Sequence, residues 1–308
     1  MSTTSIKSDQ SQSIGAYLKA YLQLMRPANI ITAWADILLG CAAAGIALAN
    51  NFDFATLGLL IVATTGLYGG GVVFNDVCDA KLDAIERPER PIPSGRASLS
   101  GAIALGIGLL LLGTLCASLV SSLSGILATI VAVTALVYDK WGKHQTLFAP
   151  FNMGLCRGGN LLLGVSAIPY AVSDRWYLAL IPIIYIAAIT AISQGEVHGG
   201  KKTTGFIAIA LIAVVINSVL CLSLLSEYSL LLTLPFLALF TASVFPPFVE
   251  AALNPNAELI QTAVKAGVLS LIILDAAIAA GFTNWLYGLS VLALLPLSRF
   301  LGRMFAVT

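Results

Sequence analysis

Long apolar runs separated by short polar loops make up most of the chain. A transmembrane helix needs about 17–25 consecutive apolar residues, and ten runs approach or reach that length. They lie at residues 28–49, 55–75, 101–121, 124–138, 150–171, 176–193, 205–226, 229–250, 264–282 and 284–302. Because the fourth run is short and the last two are almost continuous, the pattern predicts an all-α integral membrane bundle of nine or ten transmembrane helices.

The loops between these runs are too short to hold a soluble globular domain. Residues 24–304 are therefore predicted to form a single transmembrane domain. Residues 1–23 are polar and lack the apolar core of a signal peptide. They are expected to form a polar N-terminal leader rather than an additional span.

Composition supports a membrane location. Of the 308 residues, 58% are hydrophobic and only 10% are charged, whereas about a quarter of a typical soluble domain is charged. The formal net charge of +1 gives no electrostatic footprint for nucleic acid. The five cysteines show neither paired metal-ligand spacing nor a disulfide framework, and most simply serve as small hydrophobic residues.

The distribution of lysine and arginine predicts the orientation of the bundle. If the N-terminus lies in the cytoplasm and ten spans alternate, nearly all basic residues fall on the cytoplasmic side and only Arg175 falls outside. The same arrangement places three polar stretches, residues 75–95, 139–145 and 193–204, together on the cytoplasmic side. A bacterial inner membrane, or a membrane derived from one, is the expected location.

The stretch NDVCDAKLDAIERPERPIPSG, residues 75–95, is the most polar part of the chain. If the second helix continues through it, Asp76, Asp79 and Asp83 stand at i, i+3 and i+7 and share one helix face, which Asn75 flanks. Clustered carboxylates repel one another unless a cation neutralises them. Mg²⁺ prefers oxygen ligands and is commonly held by a few carboxylates together with substrate phosphates. This face therefore predicts a Mg²⁺ site.

The loop that follows this face is rich in proline and arginine. Its three prolines are expected to end the helix and stiffen the loop, and Ser94 or Ser98 can cap the next helix. Arg87, Arg90 and Arg96 carry planar, permanently charged groups suited to phosphate oxygens. Carboxylates for metal beside arginines for phosphate describe a diphosphate site. The alternative, a solvated cytoplasmic loop, explains the arginines but not three acids at helical spacing.

The same stretch resembles the first signature of the UbiA superfamily of intramembrane prenyltransferases, N-D-x-x-D-x-x-x-D followed by R-P-x-R-P-I-P-S-G. Together with LMRPAN, YDKWGKHQ and NMGLCRGGNLLLG, it is most similar to the EboC-like branch. The resemblance covers nearly the whole chain. It implies a helical bundle with a central cavity, in which Mg²⁺ holds an isoprenyl diphosphate. Loss of diphosphate would leave an allylic carbocation that an acceptor captures.

The second acidic motif of this family is weak in the chain. By resemblance it should follow the sixth span, where AISQGEVHGGKKTTG offers Glu196 as its only carboxylate, with Gln194 beside it. Lys201 or Lys202 could meet phosphate, while a lone loop histidine such as His198 is more often simply polar than a metal ligand. This departure leaves open one metal instead of two, weaker turnover, a different acceptor, or binding without reaction.

Two further segments carry residues that the resemblance places at the site. Tyr138 and Lys143, after the fourth span, match family positions that contact the diphosphate region, although Tyr138 could instead be an interfacial aromatic anchor. Arg26 and Asn29 lie at the start of the first span and line the site by resemblance. The alternative for Arg26 is an anchor that snorkels to the membrane surface.

Charged side chains inside the spans need a partner or a cavity. Asn152 and Arg157 lie near the start of the fifth span, and an intramembrane arginine rarely faces lipid. Asp36 lies in the first span, where a charge costs roughly 2.5–3.5 kcal/mol on insertion scales. It either orients or deprotonates the acceptor, or pairs with Arg157 to hold helices together. For Asp275, in the ninth span, a structural hydrogen bond is favoured.

The sequence therefore predicts a Mg²⁺-dependent enzyme that transfers an isoprenyl group from an isoprenyl diphosphate to an unidentified small-molecule or lipid acceptor at the cytoplasmic side of the membrane. The residues predicted to be catalytic are Asp76, Asp79, Asp83, Glu196 and Tyr138, of which the first four are the predicted metal ligands. The residues predicted to bind substrate are Arg26, Asn29, Asn75, Arg90, Lys143, Asn152, Arg157, Gln194 and Lys202. The alternative is a non-catalytic membrane carrier or scaffold for a prenylated or amphipathic metabolite.

Overall fold

The computed structural model describes residues 15–45, 53–146 and 148–305, and all regular elements in these ranges are helical, which confirms the predicted all-α class. In chain order the helices are α1 (residues 15–25), α2 (Pro27–Ala43), α3 (Phe54–Glu86), α4 (Leu99–Val120), α5 (Ser122–Lys140), α6 (Phe148–Val165), α7 (Ala171–Arg175), α8 (Leu180–Ser193), α9 (Lys202–Cys221), α10 (Leu230–Leu253), α11 (Ala257–Phe282), α12 (Trp285–Leu292) and α13 (Leu294–Phe305). Short 3₁₀ turns cover Gly142–His144, Trp176–Ala179 and Leu222–Leu224.

Eight helical segments within the described residues are long and apolar enough to cross a membrane. They are Phe54–Glu86, Leu99–Val120, Ser122–Lys140, Ala171–Ser193, Lys202–Leu224, Leu230–Leu253, Ala257–Phe282 and Trp285–Phe305. Helix α2 is apolar but has only 17 residues, and α6, which carries Asn152, Arg157 and Asn160, is not among the eight. The predicted count of nine or ten spans is therefore approximate. Both helices that fall short carry buried polar side chains.

Helix α2 lies between the two halves of the bundle. Its Ile31 and Leu39 pack into the larger apolar core with α8, α9, α10 and α11. Its Ile37 and Cys41 pack into a smaller core with α3, α4 and α5. The outer helices α4, α5, α9 and α10 bury only 28% of their most apolar windows, against 72% for α11. Their exposed apolar side chains are those expected to face lipid.

The predicted polar leader is partly helical. Residues 1–14 lie outside the described ranges, but residues 15–25 form α1, whose Ala20 and Leu24 are fully buried. Both side chains pack in a small apolar cluster against α3 and α4. Polar residues interrupt this helix too often for it to resemble a span, although its narrow apolar face is enough to dock it on the bundle.

Helix α3 is longer than a bilayer is thick. Its 33 residues correspond to about 50 Å at 1.5 Å per residue, whereas the hydrocarbon core spans about 30 Å. Asp53 caps its N-terminus by accepting hydrogen bonds from the N–H groups of Ala55 and Thr56. The polar last turns therefore extend past the apolar layer, which places residues 75–86 near the membrane surface.

The α3–α4 loop is held by its own side chains. Ser98 caps α4 by accepting a hydrogen bond from the Gly101 N–H at 3.1 Å, which confirms one of the two predicted caps. Arg96 donates to Gln23 Oε1 at 2.7 Å and to the Glu89 carbonyl at 2.5 Å. Arg96 therefore fastens the loop to α1.

Helices α2 and α6 touch through their backbones. A Cβ on Gly40 would lie 2.5 Å from the Leu161 carbonyl oxygen, and a Cβ on Gly164 would lie 2.7 Å from the Ile37 carbonyl oxygen. Small residues permit this close approach between membrane helices. The contact holds α2 firmly against α6.

Gly40→Leu should therefore destabilise the bundle, because a side chain at this position must push α2 away from α6. Overpacking of this kind typically costs about 1–3 kcal/mol and should lower the thermal unfolding midpoint in detergent. Gly108→Leu is the matched control, since a Cβ on Gly108 meets nothing within 4 Å. Equal midpoints for the two variants would contradict the close packing.

Candidate functional site

Two of the aspartates on the predicted metal face of α3 are buried and paired with arginine. Arg90, from the α3–α4 loop, donates to Asp83 Oδ2 at 2.7 Å and lies 3.4 Å from Asp76 Oδ1. Arg26, from the α1–α2 turn, donates to the same Asp76 oxygen at 2.7 Å. The helix places the acids on one face as predicted, and two arginines predicted to bind substrate lie against them.

The third aspartate meets the end of α5. Lys143 Nζ lies 2.6 Å from Asp79 Oδ1. Asn75, one turn before Asp79 on α3, donates from Nδ2 to Asp139 Oδ1 at 3.0 Å. The structure therefore brings α3, the α3–α4 loop and the α5–α6 connection together around these side chains. Asp139 was given no role by the sequence patterns, although it directly follows a tyrosine of the predicted site.

Arg26 is held in a strained backbone conformation. Its φ of 50° and ψ of 65° are left-handed, and no other non-glycine residue in the described part of the chain has a positive φ. A non-glycine residue in this region costs roughly 1–2 kcal/mol. The turn between α1 and α2 directs the Arg26 guanidinium onto Asp76, so backbone geometry and charge both contribute to this pair.

The chemistry of this donor set fits a divalent cation. Three carboxylates and the Asn75 amide offer the oxygen ligands that Mg²⁺ prefers. Their charge is balanced here by Arg26, Arg90 and Lys143. In the described ranges no three His, Cys, Asp or Glu side chains converge into a preformed metal site. The carboxylates would therefore have to exchange cationic side chains for the metal.

The loop between α8 and α9 lies at the same end of the bundle. Glu196 is half-buried, and burial raises the pKa of its carboxyl while Arg87, Lys265 and Arg26 act in the opposite direction. Among the residues that the structure describes, Glu196 does not join the aspartates in a cluster of three acids. The second acidic motif thus supplies one carboxylate, which does not converge with other acids among the described residues.

Gln194 and Lys202, which were predicted to bind substrate, also belong to this loop and the start of α9. Gln194 donates from Nε2 to the Thr146 carbonyl at 3.0 Å, which ties the loop to the α5–α6 connection. Lys202 begins α9 and is exposed, as is His198. Gln194 and Lys202 therefore lie at the polar end, with the Gln194 amide used by a neighbouring loop.

Two tyrosines reach the polar end from α5 and α3. Tyr138 is half-buried in the last turn of α5, directly before Asp139. Tyr68 lies on α3 two turns before Asn75, near Arg26 and the Asn29 side chain. The sequence patterns do not single out Tyr68. Its spacing of seven residues from Asn75, which keeps both on one helix face, is the signal that could have found it.

Asn152, predicted to bind substrate, is buried against the end of α5. The amide of Asn152 is oriented by its partners, with its nitrogen 3.3 Å from the Thr134 carbonyl oxygen. In this orientation its oxygen accepts a hydrogen bond from the Tyr138 N–H at 3.1 Å. Gly142 leaves room for this side chain, since a Cβ there would come within 2.7 Å of the amide. In this structure Asn152 orients the residues at the end of α5, and its role toward substrate stays a prediction.

A second polar cluster lies in the middle of the bundle. Arg157 Nε lies 2.7 Å from Asp36 Oδ2, and the same guanidinium donates to the Thr32 carbonyl. Asn160 donates to Asp36 Oδ2 at 2.8 Å and accepts from Thr64 Oγ1 at 2.6 Å. Of the two roles open for Asp36, the structure contains the pairing with Arg157 that holds α2 against α6.

This cluster also bears on the roles predicted for Arg157 and Asp275. Arg157 was predicted to bind substrate, but here its guanidinium is committed to α2, so a substrate role would need it to leave Asp36. Asp275 of α11 is also buried and lies near Asp36. Its Oδ2 has no hydrogen-bond partner among the described residues, so the structural hydrogen bond expected for Asp275 stays a prediction.

Arg157→Leu should strongly destabilise the protein, because it leaves Asp36 as an unpaired buried carboxylate. Breaking a buried pair in this way costs about 3–5 kcal/mol. The double variant Asp36→Leu with Arg157→Leu should regain part of the thermal midpoint in detergent, since the carboxylate that Arg157 pairs with is removed together with it. A double variant no more stable than Arg157→Leu would argue against the pairing.

Comparison with known protein sequences agrees with this architecture. The family model described as the UbiA prenyltransferase family matches residues 38–255. Digeranylgeranylglyceryl phosphate synthase of Methanosarcina mazei is 29% identical over 193 residues, which cover 60% of this chain and 65% of that protein. The synthase of the same name from Saccharolobus solfataricus is 32% identical over 180 residues, 58% of this chain and 61% of that one. The chain thus matches less than two thirds of the length of these relatives.

Solved structures share the fold. A structure of digeranylgeranylglyceryl phosphate synthase gives a TM-score of 0.64 at 23% identity, over 86% of this chain and 98% of that one. A UbiA homologue from Archaeoglobus fulgidus bound to GPP and Mg²⁺ gives a TM-score of 0.51 at 15% identity, over 89% of this chain and 99% of that chain. At these identities the likeness shows the fold alone. Because the family model matches well over half of the chain, this protein belongs to the UbiA prenyltransferase family.

Proposed function

We propose that this protein transfers an isoprenyl group from an isoprenyl diphosphate to a small acceptor, in a reaction that depends on Mg²⁺. The observation that carries the proposal is the pairing of three aspartates on α3 with Arg26, Arg90 and Lys143. Carboxylates in a row suit the metal, and the cations beside them suit phosphate. Relatives named digeranylgeranylglyceryl phosphate synthase and a homologue bound to GPP and Mg²⁺ support it.

In this proposal the two partners of each ion pair take separate tasks. Asp76, Asp79 and Asp83 would hold Mg²⁺, which when bound supplies positive charge to the leaving diphosphate. Arg90 and Lys143, released from the carboxylates, would donate to the diphosphate oxygens. They would stabilise the negative charge that develops as the carbon–oxygen bond breaks. The ion pairs keep both sets of groups beside each other beforehand, and each pair has to separate when metal and substrate bind.

Breakage of that bond leaves an allylic cation, which the acceptor must capture. We assign Tyr138 to shield the cation with its ring face, and Glu196 to the second, weaker half of the metal site. The acceptor's attacking atom bonds to the allylic carbon and gives up its proton to the departing diphosphate or to water. Diphosphate leaves with the electron pair of the broken carbon–oxygen bond, so the transfer needs no further reactant.

The acceptor is the least defined part of the proposal. The name of the curated relatives points to one class, a prenylated glyceryl phosphate, because their product carries two geranylgeranyl groups on glyceryl phosphate. Such an acceptor is amphipathic and could reach the polar end from the lipid. Aromatic, polyol and other lipid acceptors are alternatives to be compared with it.

Location and subfamily are proposed on narrower grounds. We keep residues 24–304 as one transmembrane domain with the N-terminus in the cytoplasm, on the distribution of lysine and arginine. The two curated relatives described above are archaeal, and neither carries the EboC name. The EboC-like branch rests on the sequence resemblance, and a bacterial inner membrane stays an expectation from the apolar spans and the polar leader.

Asp79→Asn should lower the rate of diphosphate release by about 100-fold or more, the effect typical of removing one group that stabilises transition-state charge. The purified protein in detergent is given radiolabelled geranylgeranyl diphosphate, with Mg²⁺ or with EDTA, and then a panel of acceptors. Asp174→Asn is the matched control, since Asp174 is exposed at the other end of the bundle.

The outcomes separate the enzyme from the carrier. Mg²⁺-dependent binding followed by diphosphate release with an acceptor would support the transferase. Tight binding without release for every acceptor would favour a membrane carrier. Binding that is insensitive both to Mg²⁺ and to Asp79→Asn would mean that the α3 face has another role.

A further inference from the structure

Asp139, in the last turn of α5, is a buried carboxylate beside the α3 face. Its residue surface is 4% exposed, and its Oδ1 accepts a hydrogen bond from Asn75 Nδ2 at 3.0 Å. Its other oxygen, Oδ2, is buried and has no hydrogen-bond partner among the described residues. Burying a carboxylate with half of its acceptors unpaired is costly. Its position therefore points to a use beyond packing.

The hydrogen bond decides which way the Asn75 amide points. The oxygen and nitrogen of an asparagine amide are assigned from the partners that surround them. Asp139 Oδ1 accepts the hydrogen bond, so Asn75 turns its NH₂ group towards Asp139. Its carbonyl oxygen is then directed away from Asp139. That oxygen is available as a ligand beside Asp76 and one turn before Asp79.

The end of α5 is held firmly enough to set this direction. Asn152, on α6, bonds to the backbone of both Thr134 and Tyr138. Lys143, beyond the helix end, pairs with Asp79 at 2.6 Å. The end of α5 is therefore braced from α6 and contacts the α3 face at two points, one of which is the bond from Asn75.

We infer that Asp139 is a positioning residue for metal binding, which holds the Asn75 amide with its oxygen presented to Mg²⁺. The inference rests on the proposed function, because it requires a metal-dependent diphosphate site on α3. It concerns the direction of one amide and not the stability of α5. Groups that orient a metal ligand typically change metal affinity by about 10–100-fold when they are removed.

A reciprocal exchange of the two side chains tests the inference. Asp139→Asn replaces the carboxyl group that accepts the hydrogen bond from Asn75 with an amide that can either donate or accept. The Asn75 amide can then turn either way, and metal affinity should fall by about tenfold. In the double variant Asn75→Asp with Asp139→Asn, the new amide can donate to the new carboxylate. The free oxygen of that carboxylate then faces the metal, and the net charge equals that of the wild type. Most of the lost affinity should return.

Metal affinity is measured apart from turnover, with Mn²⁺ as a paramagnetic substitute for Mg²⁺. Electron paramagnetic resonance gives the dissociation constant of Mn²⁺ on purified protein that holds a non-reactive isoprenyl thiolodiphosphate. Thermal midpoints of all variants are recorded alongside, so that loss of folding is recognised. Lys140→Gln, which changes an exposed charge at the same helix end, should leave the constant unchanged.

Weaker Mn²⁺ binding in Asp139→Asn with recovery in the double variant is the expected result. If the single variant does not fold, the double variant decides, since its Mn²⁺ affinity must still approach that of the wild type. Unchanged binding in Asp139→Asn, or a double variant as weak as the single one, would overturn the positioning role alone. Wild-type protein that binds neither Mn²⁺ nor the diphosphate analogue would overturn the proposed function as well.

Discussion

The ion pairs on the last turns of α3 hold the polar end of the bundle together. Three acids project there because α3 extends past the apolar layer, and like charges on one helix face repel each other. Each acid is met by a cation from another segment: Arg26 from the α1–α2 turn, Arg90 from the α3–α4 loop, and Lys143 from the α5–α6 connection. The same contacts therefore fasten three connections to α3 and assemble the candidate site.

The buried charges of the core and those of the polar end differ in their access to solvent. The Asp36 side chain is 0% exposed, and Arg157 and Asn160 enclose it between helices. The side chains of Arg26 and Asp79 keep 24% and 20% of their surface exposed. A partly solvated pair costs less to separate than an enclosed one. The core pair thus suits a structural role, whereas the Arg26–Asp76 and Lys143–Asp79 pairs suit exchange with a metal and diphosphate. The Arg90–Asp83 pair, with side chains 10% and 6% exposed, is more enclosed than these two.

Features that depend on the residues of a single helix could be predicted from the sequence. Apolar run length was enough for the long helices but not for α1, and helical spacing was enough for the acidic face of α3. Contacts between helices were not predictable in this way. Asn152 and Arg157 lie on the same helix, yet one bonds to α5 and the other to α2. Asp139 resembles a surface charge in the sequence, but packing buries it against Asn75, 64 residues away.

A structure of the protein with Mg²⁺ and an isoprenyl thiolodiphosphate bound would test partner exchange most directly. If the carboxylates exchange their cationic partners for Mg²⁺, oxygens of Asp76, Asp79 and Asp83 should surround the metal at the roughly 2.0–2.1 Å typical of Mg²⁺. Partner exchange also predicts Arg90 and Lys143 on the phosphate oxygens, with their carboxylate contacts broken. A complex in which these ion pairs persist while the diphosphate lies elsewhere would contradict the assignment of the α3 face.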